Sequence, residues 1–172
     1  MNILKSALGH YETKGRIEDA DVIVGHSFGT LTDETSANRQ LAEYILDHVD
    51  GRPIVVDRNL ADAFPGDHRI DLVVEGEVSD ARGNGVGTWG TLIEAKGFME
   101  THELSKPLMI AQAYHIGRVA MQAQKLQMDA IIPGNLPTRF DRESAQPWTR
   151  SRTMWVPREV IGSLVLKSQG KL

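Results

Sequence analysis

The chain has 172 residues, of which 41% are hydrophobic and 24% are charged, and this composition predicts one folded domain spanning residues 1–172. The net charge of −4 argues against a general nucleic-acid-binding protein, because such proteins neutralise phosphates with an excess of lysine and arginine. The absence of cysteine excludes disulfides, thiolate metal sites and cysteine nucleophiles.

No segment of the chain has the pattern of an export signal or a membrane span. Residues 1–10 contain no sustained apolar run of the kind found in a signal peptide. No stretch approaches the roughly 20 apolar residues that cross a bilayer. We therefore expect a cytoplasmic protein with no membrane partner.

Short apolar runs alternate with longer amphipathic stretches along the chain. The apolar runs predict five strands, at residues 20–24, 54–56, 70–74, 107–111 and 130–132. The amphipathic stretches predict helices at residues 35–49, 88–102, 114–127 and 157–167. In the last helix Pro157 suits the first turn, and the residues expected to face inward are Val160, Ile161, Leu164 and Val165.

Strands separated by helices predict an α/β fold with a mainly parallel five-stranded sheet and helices on both faces. In such sheets ligands bind beyond the carboxyl ends of the strands. The loops that follow the strands are therefore the first places to look for a functional site.

The loop after the first strand, residues 25–30, is rich in glycine and hydroxyl groups. Glycines allow backbone amides to approach an anion closely. Arg39, in the following helix, could reach back over the loop, and an exposed arginine beside a flexible turn is the alternative. The residues of this loop that we expect to bind a ligand are Gly25, His26, Ser27, Gly29 and Thr30.

The same loop has the literal Gly-x-Ser-x-Gly spacing of a nucleophile elbow, with Ser27 in the nucleophile position. An elbow normally lies in a later unit of the fold, with its acid and histidine downstream. A serine hydrolase is therefore an alternative interpretation and not the leading one.

A second glycine cluster, residues 85–90, matches the dinucleotide-binding fingerprint in form. The fingerprint belongs directly after the first strand, whereas this cluster ends a long loop in the third unit. A loop that closes over a ligand is at least as good an interpretation. Thr88, Trp89 and Thr91 are candidate ligand-binding residues, although Thr91 and Glu94 also have the spacing of a helix-capping box.

The junction between the fourth strand and its helix carries the sharpest pattern. His115 and Arg118 are three residues apart and would share one helix face. A histidine can exchange protons near neutral pH, and an arginine can hold a phosphate or carboxylate. We therefore expect His115 to act as general acid or base, Arg118 to clamp charge and Glu94 to orient His115. A surface histidine beside a solvated arginine is the alternative.

The six histidines are scattered and form no His-x-x-x-His pair, so we expect no metal site.

Over roughly residues 19–169 the chain resembles the SanA/ElyC/YdcF family. The family motif Thr-Ser-x-Tyr-His-Met-Pro-Arg-Ala corresponds to residues 111–119, and a glycine-rich turn and a helical arginine correspond to residues 25–27 and Arg39. An aromatic-containing loop and an Arg-Glu helix are similar to Trp148 and residues 157–159. The resemblance implies a three-layer Rossmann-like fold, no metal and a divergent soluble member. Some members of the family are anchored envelope proteins linked to peptidoglycan precursors, and a soluble one looks able to bind S-adenosylmethionine.

The leading hypothesis is an enzyme that acts on a small anionic metabolite, phosphorylated or nucleotide-like, without a required cofactor or a nucleic-acid partner. Gln112 at the strand end and Tyr114 would contact this ligand. One alternative is a module that binds S-adenosylmethionine or a nucleotide without turnover, with Trp89, Tyr114 and Trp148 stacking on the base. The other is a serine hydrolase that uses Ser27.

Overall fold

The structure, a computed structural model, describes residues 2–75 and 87–172 and contains one parallel sheet. The neighbouring strands are all parallel, in the order β3-β2-β1-β4, and Ile23 in β1 aligns with Ile54 in β2 and with Leu108 in β4. The strands are β1 (Val22–Gly25), β2 (Ile54–Asp57), β3 (Leu72–Val74) and β4 (Pro107–Ile110). The predicted α/β fold with a parallel sheet is confirmed.

Helices flank this sheet in the described ranges. Two single turns of 3-10 helix, Ile17–Asp19 and Pro147–Thr149, occur in the connections. The helices α2 and α3 pack on each other, as do α4 and α5, while α1 packs against α5 and α6. The α-helices are α1 (Ile3–Ala7), α2 (Ala37–Leu46), α3 (Arg58–Ala61), α4 (Gly87–Thr101), α5 (Ile116–Lys125) and α6 (Arg152–Ser168).

Strands β1 and β4 are completely buried, which is why their sequences are continuous apolar runs and do not alternate. Helix α2 covers the sheet with Leu41 and Ile45, which are both fully buried. Ser36 begins this helix by accepting a hydrogen bond from the Arg39 amide through its side chain. These contacts hold the carboxyl end of β1, and the loop after it, in a fixed position.

The predicted fifth strand, residues 130–132, is buried but does not extend the sheet. Ile131 forms a single parallel bridge with Leu108, and Ile132 forms a single antiparallel bridge with Lys14. Pro133 follows directly and lacks the N–H that a longer ladder would need. The sheet in the described residues therefore has four strands and not five.

The last helix also differs from the prediction. It begins at Arg152, so that Pro157 lies inside it, and its inward face consists of Trp155, Glu159 and Ser163. Three of the residues expected to face inward are instead 49–61% exposed: Ile161, Leu164 and Val165. The 3-4 spacing of apolar residues identified one helix face correctly, but it does not say which face packs on the body of the protein.

None of the helices in the described ranges is long and apolar enough to cross a bilayer.

Candidate functional site

A cleft of about 140 Å³ lies at the carboxyl ends of the strands. Its walls come from the segments that follow β1, β2 and β4, from the last residue of β3, and from α4 and α6. The chain runs from β1 to β2 to β3 in one direction and then returns to place β4 on the other side of β1. The loops after β1 and β4 diverge at this reversal of strand order, which is where parallel α/β sheets generally bind ligands.

The structure brings eight of the predicted site residues together in the walls of this cleft. They come from three segments that are distant in the chain, and a fourth contributes an aromatic ring. These residues are His26, Ser27, Gly29, Thr88, Thr91, His115, Arg118 and Trp148.

The other predicted residues are not part of the cleft lining: Gly25, Thr30, Arg39, Trp89, Glu94, Gln112 and Tyr114. Several of them have structural contacts instead. A Cβ on Gly25 would lie 2.8 Å from side-chain atoms of Ile45 and Leu60, so this glycine serves close packing in the core. Gln112 accepts a hydrogen bond from the Tyr114 amide and donates one to the Arg139 carbonyl.

Glu94 is exposed on α4 and does not contact His115, and Arg39 pairs with Glu43 at 3.1 Å. The tyrosine of the junction, Tyr114, packs against Phe140 and lies beneath the Arg152 guanidinium. Glu94 therefore does not orient His115, whose side-chain hydrogen bonds are with Arg118 and Thr88.

The backbone amides of the loop after β1 are already engaged. The His26 amide donates to the Ile110 carbonyl at 2.8 Å, the Ser27 amide to Asp57 Oδ2 at 2.8 Å, and the Phe28 amide to Asn38 Oδ1 at 2.7 Å. These hydrogen bonds fix the loop but leave the three amides unavailable to an anion. The predicted amide cradle is therefore absent at His26, Ser27 and Phe28.

A directed chain of hydrogen bonds crosses from α6 to α4 through the predicted junction. Arg118 Nε donates to Glu159 Oε1 at 2.8 Å, and the same guanidinium reaches His115 Nδ1 at 3.1 Å. Because a guanidinium can only donate, Nδ1 accepts, and the neutral ring carries its proton on Nε2. Nε2 then donates to Thr88 Oγ1, 3.2 Å away. The Thr88 hydroxyl hydrogen is thereby left to donate elsewhere, at the wall of the cleft.

This chain of contacts changes the role of His115. The side chain is 4% exposed, and burial, together with the positive charge of Arg118, holds the pKa of His115 well below its usual range. Its Nδ1 lone pair is occupied, and its Nε2 proton is engaged. His115 is thus a neutral residue that orients Thr88, and it is poorly placed for the proton exchange that its sequence context predicts.

His26 is the opposite case. It is fully buried beside the cleft, and neither ring nitrogen has a hydrogen-bond partner among residues 2–75 and 87–172. Burial and the nearby Arg118 charge lower the pKa of His26 to about 3, so the ring is neutral at physiological pH. A buried polar group without a partner is destabilising by about 1–3 kcal/mol, so a group that enters the cleft and hydrogen-bonds to this ring would stabilise the protein.

Asp57 and Glu159 are functional candidates that the sequence did not single out. Burial raises the pKa of both carboxyl groups above the ordinary range, although hydrogen bonds to Asp57 and the Arg118 charge beside Glu159 oppose the change. Asp57 follows β2 directly, so its place at a strand end could have revealed it. Glu159 is separated from Arg118 by 41 residues, and nothing local in the sequence connects them.

The charges of the cleft are mixed, since Arg118 pairs with Glu159 and Arg58 pairs with Asp62 and Glu75. Three arginines and two carboxylates line it, and two helices, α4 and α5, begin at its wall with residues Gly87 and Ile116. The first backbone amides of a helix carry partial positive charge. No side chain caps the start of α5. The arginines are Arg58, Arg118 and Arg158, and the carboxylates are Asp57 and Glu159.

The geometry of Ser27 does not resemble a nucleophile elbow. Ser27 is not among the residues with positive φ, although an elbow holds its serine in a strained turn directly before a helix. Here α2 begins only at Ala37, and both nitrogens of His115 are engaged by other groups. Within the described part of the chain, no three histidine, aspartate or glutamate side chains gather as a metal-binding group.

Comparison with known proteins finds no protein family, no curated protein and no solved structure that matches this chain. The chemistry of the cleft itself is therefore the basis for a functional proposal.

Proposed function

We propose that this chain binds a small anionic molecule, such as a phosphorylated or nucleotide-like metabolite, in the cleft at the carboxyl ends of its strands. The observation that carries the proposal is His26, a buried neutral imidazole whose two ring nitrogens lack partners in the described residues. A ligand that hydrogen-bonds to this ring would remove the energetic cost of the unpaired nitrogens. We also propose that the sheet is Rossmann-like, because the order β3-β2-β1-β4 occurs in doubly wound folds.

Two features support an anionic ligand. The start of α4 lies at the cleft, and the first turn of a helix carries partial positive charge that favours an anion. Arg58 and Arg158 also line the cleft, and the guanidinium of Arg158 lies 5.3 Å from the centre of the Trp148 ring. A phosphate between these groups would receive charge-assisted hydrogen bonds.

The size of the cleft limits what it can enclose. Its volume of about 140 Å³ is similar to the roughly 150 Å³ of a protein cavity that binds benzene. One phosphate group or one ring fits such a space, and the remainder of a nucleotide-like ligand would lie at the mouth. Trp148, which is only partly buried at the cleft, offers an aromatic surface for that remainder.

Turnover of the bound molecule is the second candidate function, and Asp57 is the observation that favours it. A carboxyl group with a raised pKa at a cleft wall can exchange a proton at a pH where an ordinary aspartate cannot. In this proposal Asp57, whose oxygens also accept hydrogen bonds from the Ser27 and Leu60 amides, replaces His115 as the acid or base. We also propose that the chain is related to the SanA/ElyC/YdcF family, because its Tyr114–Arg118 junction resembles the family motif.

The test compares His26→Leu with the wild-type protein. We expect the variant to unfold at a temperature about 2–4 °C higher, because an apolar side chain of similar size removes an unpaired buried group worth about 1 kcal/mol. It should also lose at least tenfold in affinity for the probes that bind the wild type. The probes are inorganic phosphate, adenosine monophosphate and S-adenosylmethionine, measured by isothermal titration calorimetry.

Gln122→Leu is the matched control. Gln122 is fully buried with both side-chain amide atoms unpartnered in the described ranges, but it is not part of the cleft lining. We expect this variant to gain stability and to keep full affinity. Absence of binding of all three probes to the wild type, or full affinity in His26→Leu, would contradict the proposal.

A further inference from the structure

Helix α6 is oriented with polar residues inward and apolar residues outward. Glu159 and Ser163 lie on its buried face beside Trp155. The opposite face carries Met154, Ile161, Leu164 and Val165, whose side chains are 49–61% exposed. A buried polar residue or an exposed apolar cluster is the informative exception to the usual pattern, and this helix shows both.

The exposed apolar residues are concentrated on two neighbouring helices. Leu4 of α1 is 53% exposed, and α1 packs against α6. Of the large apolar side chains that are exposed in the described residues, only Ile93 on α4 lies outside α1 and α6. Isolated exposed apolar residues are ordinary, but such a concentration marks a surface that contacts something apolar.

The same two helices and their flanking segments are strongly basic, although the whole chain has a net charge of −4. Residues 2–11 and 144–172 contain six lysines and arginines but a single carboxylate side chain, that of Glu159. Glu159 is buried in its ion pair with Arg118 and contributes no charge to the surface. The basic residues are Lys5, Arg150, Arg152, Lys167 and Lys171, together with Arg158, which lies over the Trp148 ring at the cleft.

We propose that this apolar–basic face, formed by the outward sides of α1 and α6, binds the surface of an anionic lipid bilayer. Such a bilayer offers both of the complementary partners, negative headgroups for the lysines and a hydrocarbon boundary for the aliphatic side chains. A second copy of the chain would bring basic residues against basic residues. Binding of this kind lies on the surface and needs no membrane-spanning helix, and it does not depend on the function proposed for the cleft.

The experiment is co-sedimentation of the full chain with vesicles of phosphatidylcholine alone and of phosphatidylcholine mixed with phosphatidylglycerol. We expect binding only to the mixed vesicles, weakening as salt is added. The double variant Ile161→Ser/Leu164→Ser should bind at least tenfold more weakly, because two aliphatic side chains no longer enter the lipid. Lys5→Gln/Lys167→Gln should lose roughly tenfold or more through its charges.

Ile93→Ser and Lys106→Gln are the matched controls, since both residues are exposed but lie on other elements. They should bind as the wild type does, and thermal unfolding should show that every variant remains folded. Equal binding to both kinds of vesicle, or binding to neither, would overturn the inference. It would also be overturned by a dimer in sedimentation velocity that Ile161→Ser/Leu164→Ser abolishes, which would assign this face to a second copy.

Discussion

His26 and His115 are neighbouring buried histidines with opposite hydrogen-bonding states. Their ring centres are 6.5 Å apart, at the ends of β1 and β4. Both nitrogens of His115 have partners, whereas those of His26 have none in the described ranges. The low pKa of each ring keeps it uncharged, so the pair can line the cleft without repelling the cation Arg118.

The low pKa of His26 predicts a specific loss of stability in acid. The folded ring is protonated only near pH 3, whereas the unfolded ring is protonated near its ordinary pKa of about 6.5. Below pH 6.5 the unfolded state therefore binds a proton that the folded state does not, and the free energy of unfolding falls as pH decreases. The stability is fully present above pH 6.5 and is lost between about 6.5 and 3.

We expect His26→Leu, which cannot take up this proton, to gain about 2 kcal/mol over the wild type when the pH is lowered from 7 to 5. Urea unfolding at the two pH values measures the difference. Gln122→Leu should keep a constant difference from the wild type, since it removes no titratable group from the chain. If the difference in unfolding free energy between His26→Leu and the wild type does not change with pH, the His26 ring takes up its proton in the folded protein over the same pH range as in the unfolded chain.

The sequence predicted that His115 and Arg118 share one helix face, but it did not predict the groups that surround the histidine. The spacing of three residues was sufficient to predict that the two side chains share a face. The partner that orients Arg118, Glu159, comes from another helix and is 41 residues distant. Tertiary contacts of this kind decide which nitrogen holds the proton, and a local motif contains no information about them.

At the scale of elements, the ion pair between Arg118 and Glu159 joins α5 to α6. Glu159 is 3% exposed and Arg118 is 20% exposed at the side chain, so both charges are largely removed from water. Such a pair costs desolvation energy, and its loss is severe only when one partner is left alone. The pair therefore serves to set the position of α6 relative to the cleft.

We predict that Arg118→Met destabilises the protein by about 3–5 kcal/mol, because it leaves the Glu159 carboxylate buried without a partner. The double variant Arg118→Met/Glu159→Gln should cost clearly less than the sum of the single variants. Chemical unfolding of the four proteins gives this coupling energy directly. Additive effects would mean that the two groups act independently, in disagreement with their 2.8 Å separation.

Elements of the fold were predictable where burial alone defines them. Strands β1, β2 and β4 follow from short apolar runs, because a buried parallel strand is covered on both faces, whereas β3 is only partly buried. Residues 130–132 have the same pattern and lie beside the edge strand β4, but only Ile131 bridges to it, and Ile132 pairs with Lys14 instead. For α6 the apolar spacing predicted a helix but not that Ile161, Leu164 and Val165 face away from the body of the protein.

At the scale of the whole molecule, the strand order explains why residues from distant parts of the chain meet. After β3 the chain crosses back to place β4 on the other side of β1. The loops after β1 and β4 therefore diverge, and the cleft opens between them. Asp57 from β2 anchors the Ser27 amide, and α4 supplies Thr88. The cleft is thus a property of the topology, whereas the binding that we propose for it depends on His26, the arginines and the start of α4.

If a small anion binds in this cleft, as we propose, a ¹H–¹⁵N NMR titration with adenosine monophosphate should reveal it at individual amides. We predict chemical-shift changes concentrated at the amides of residues 26–29, 57–59, 87–91 and 115–118, which surround the cleft. The same titration of His26→Leu should show these changes strongly reduced at equal ligand concentration. Changes confined to other surfaces, or unaffected by the substitution, would rule out binding at this site.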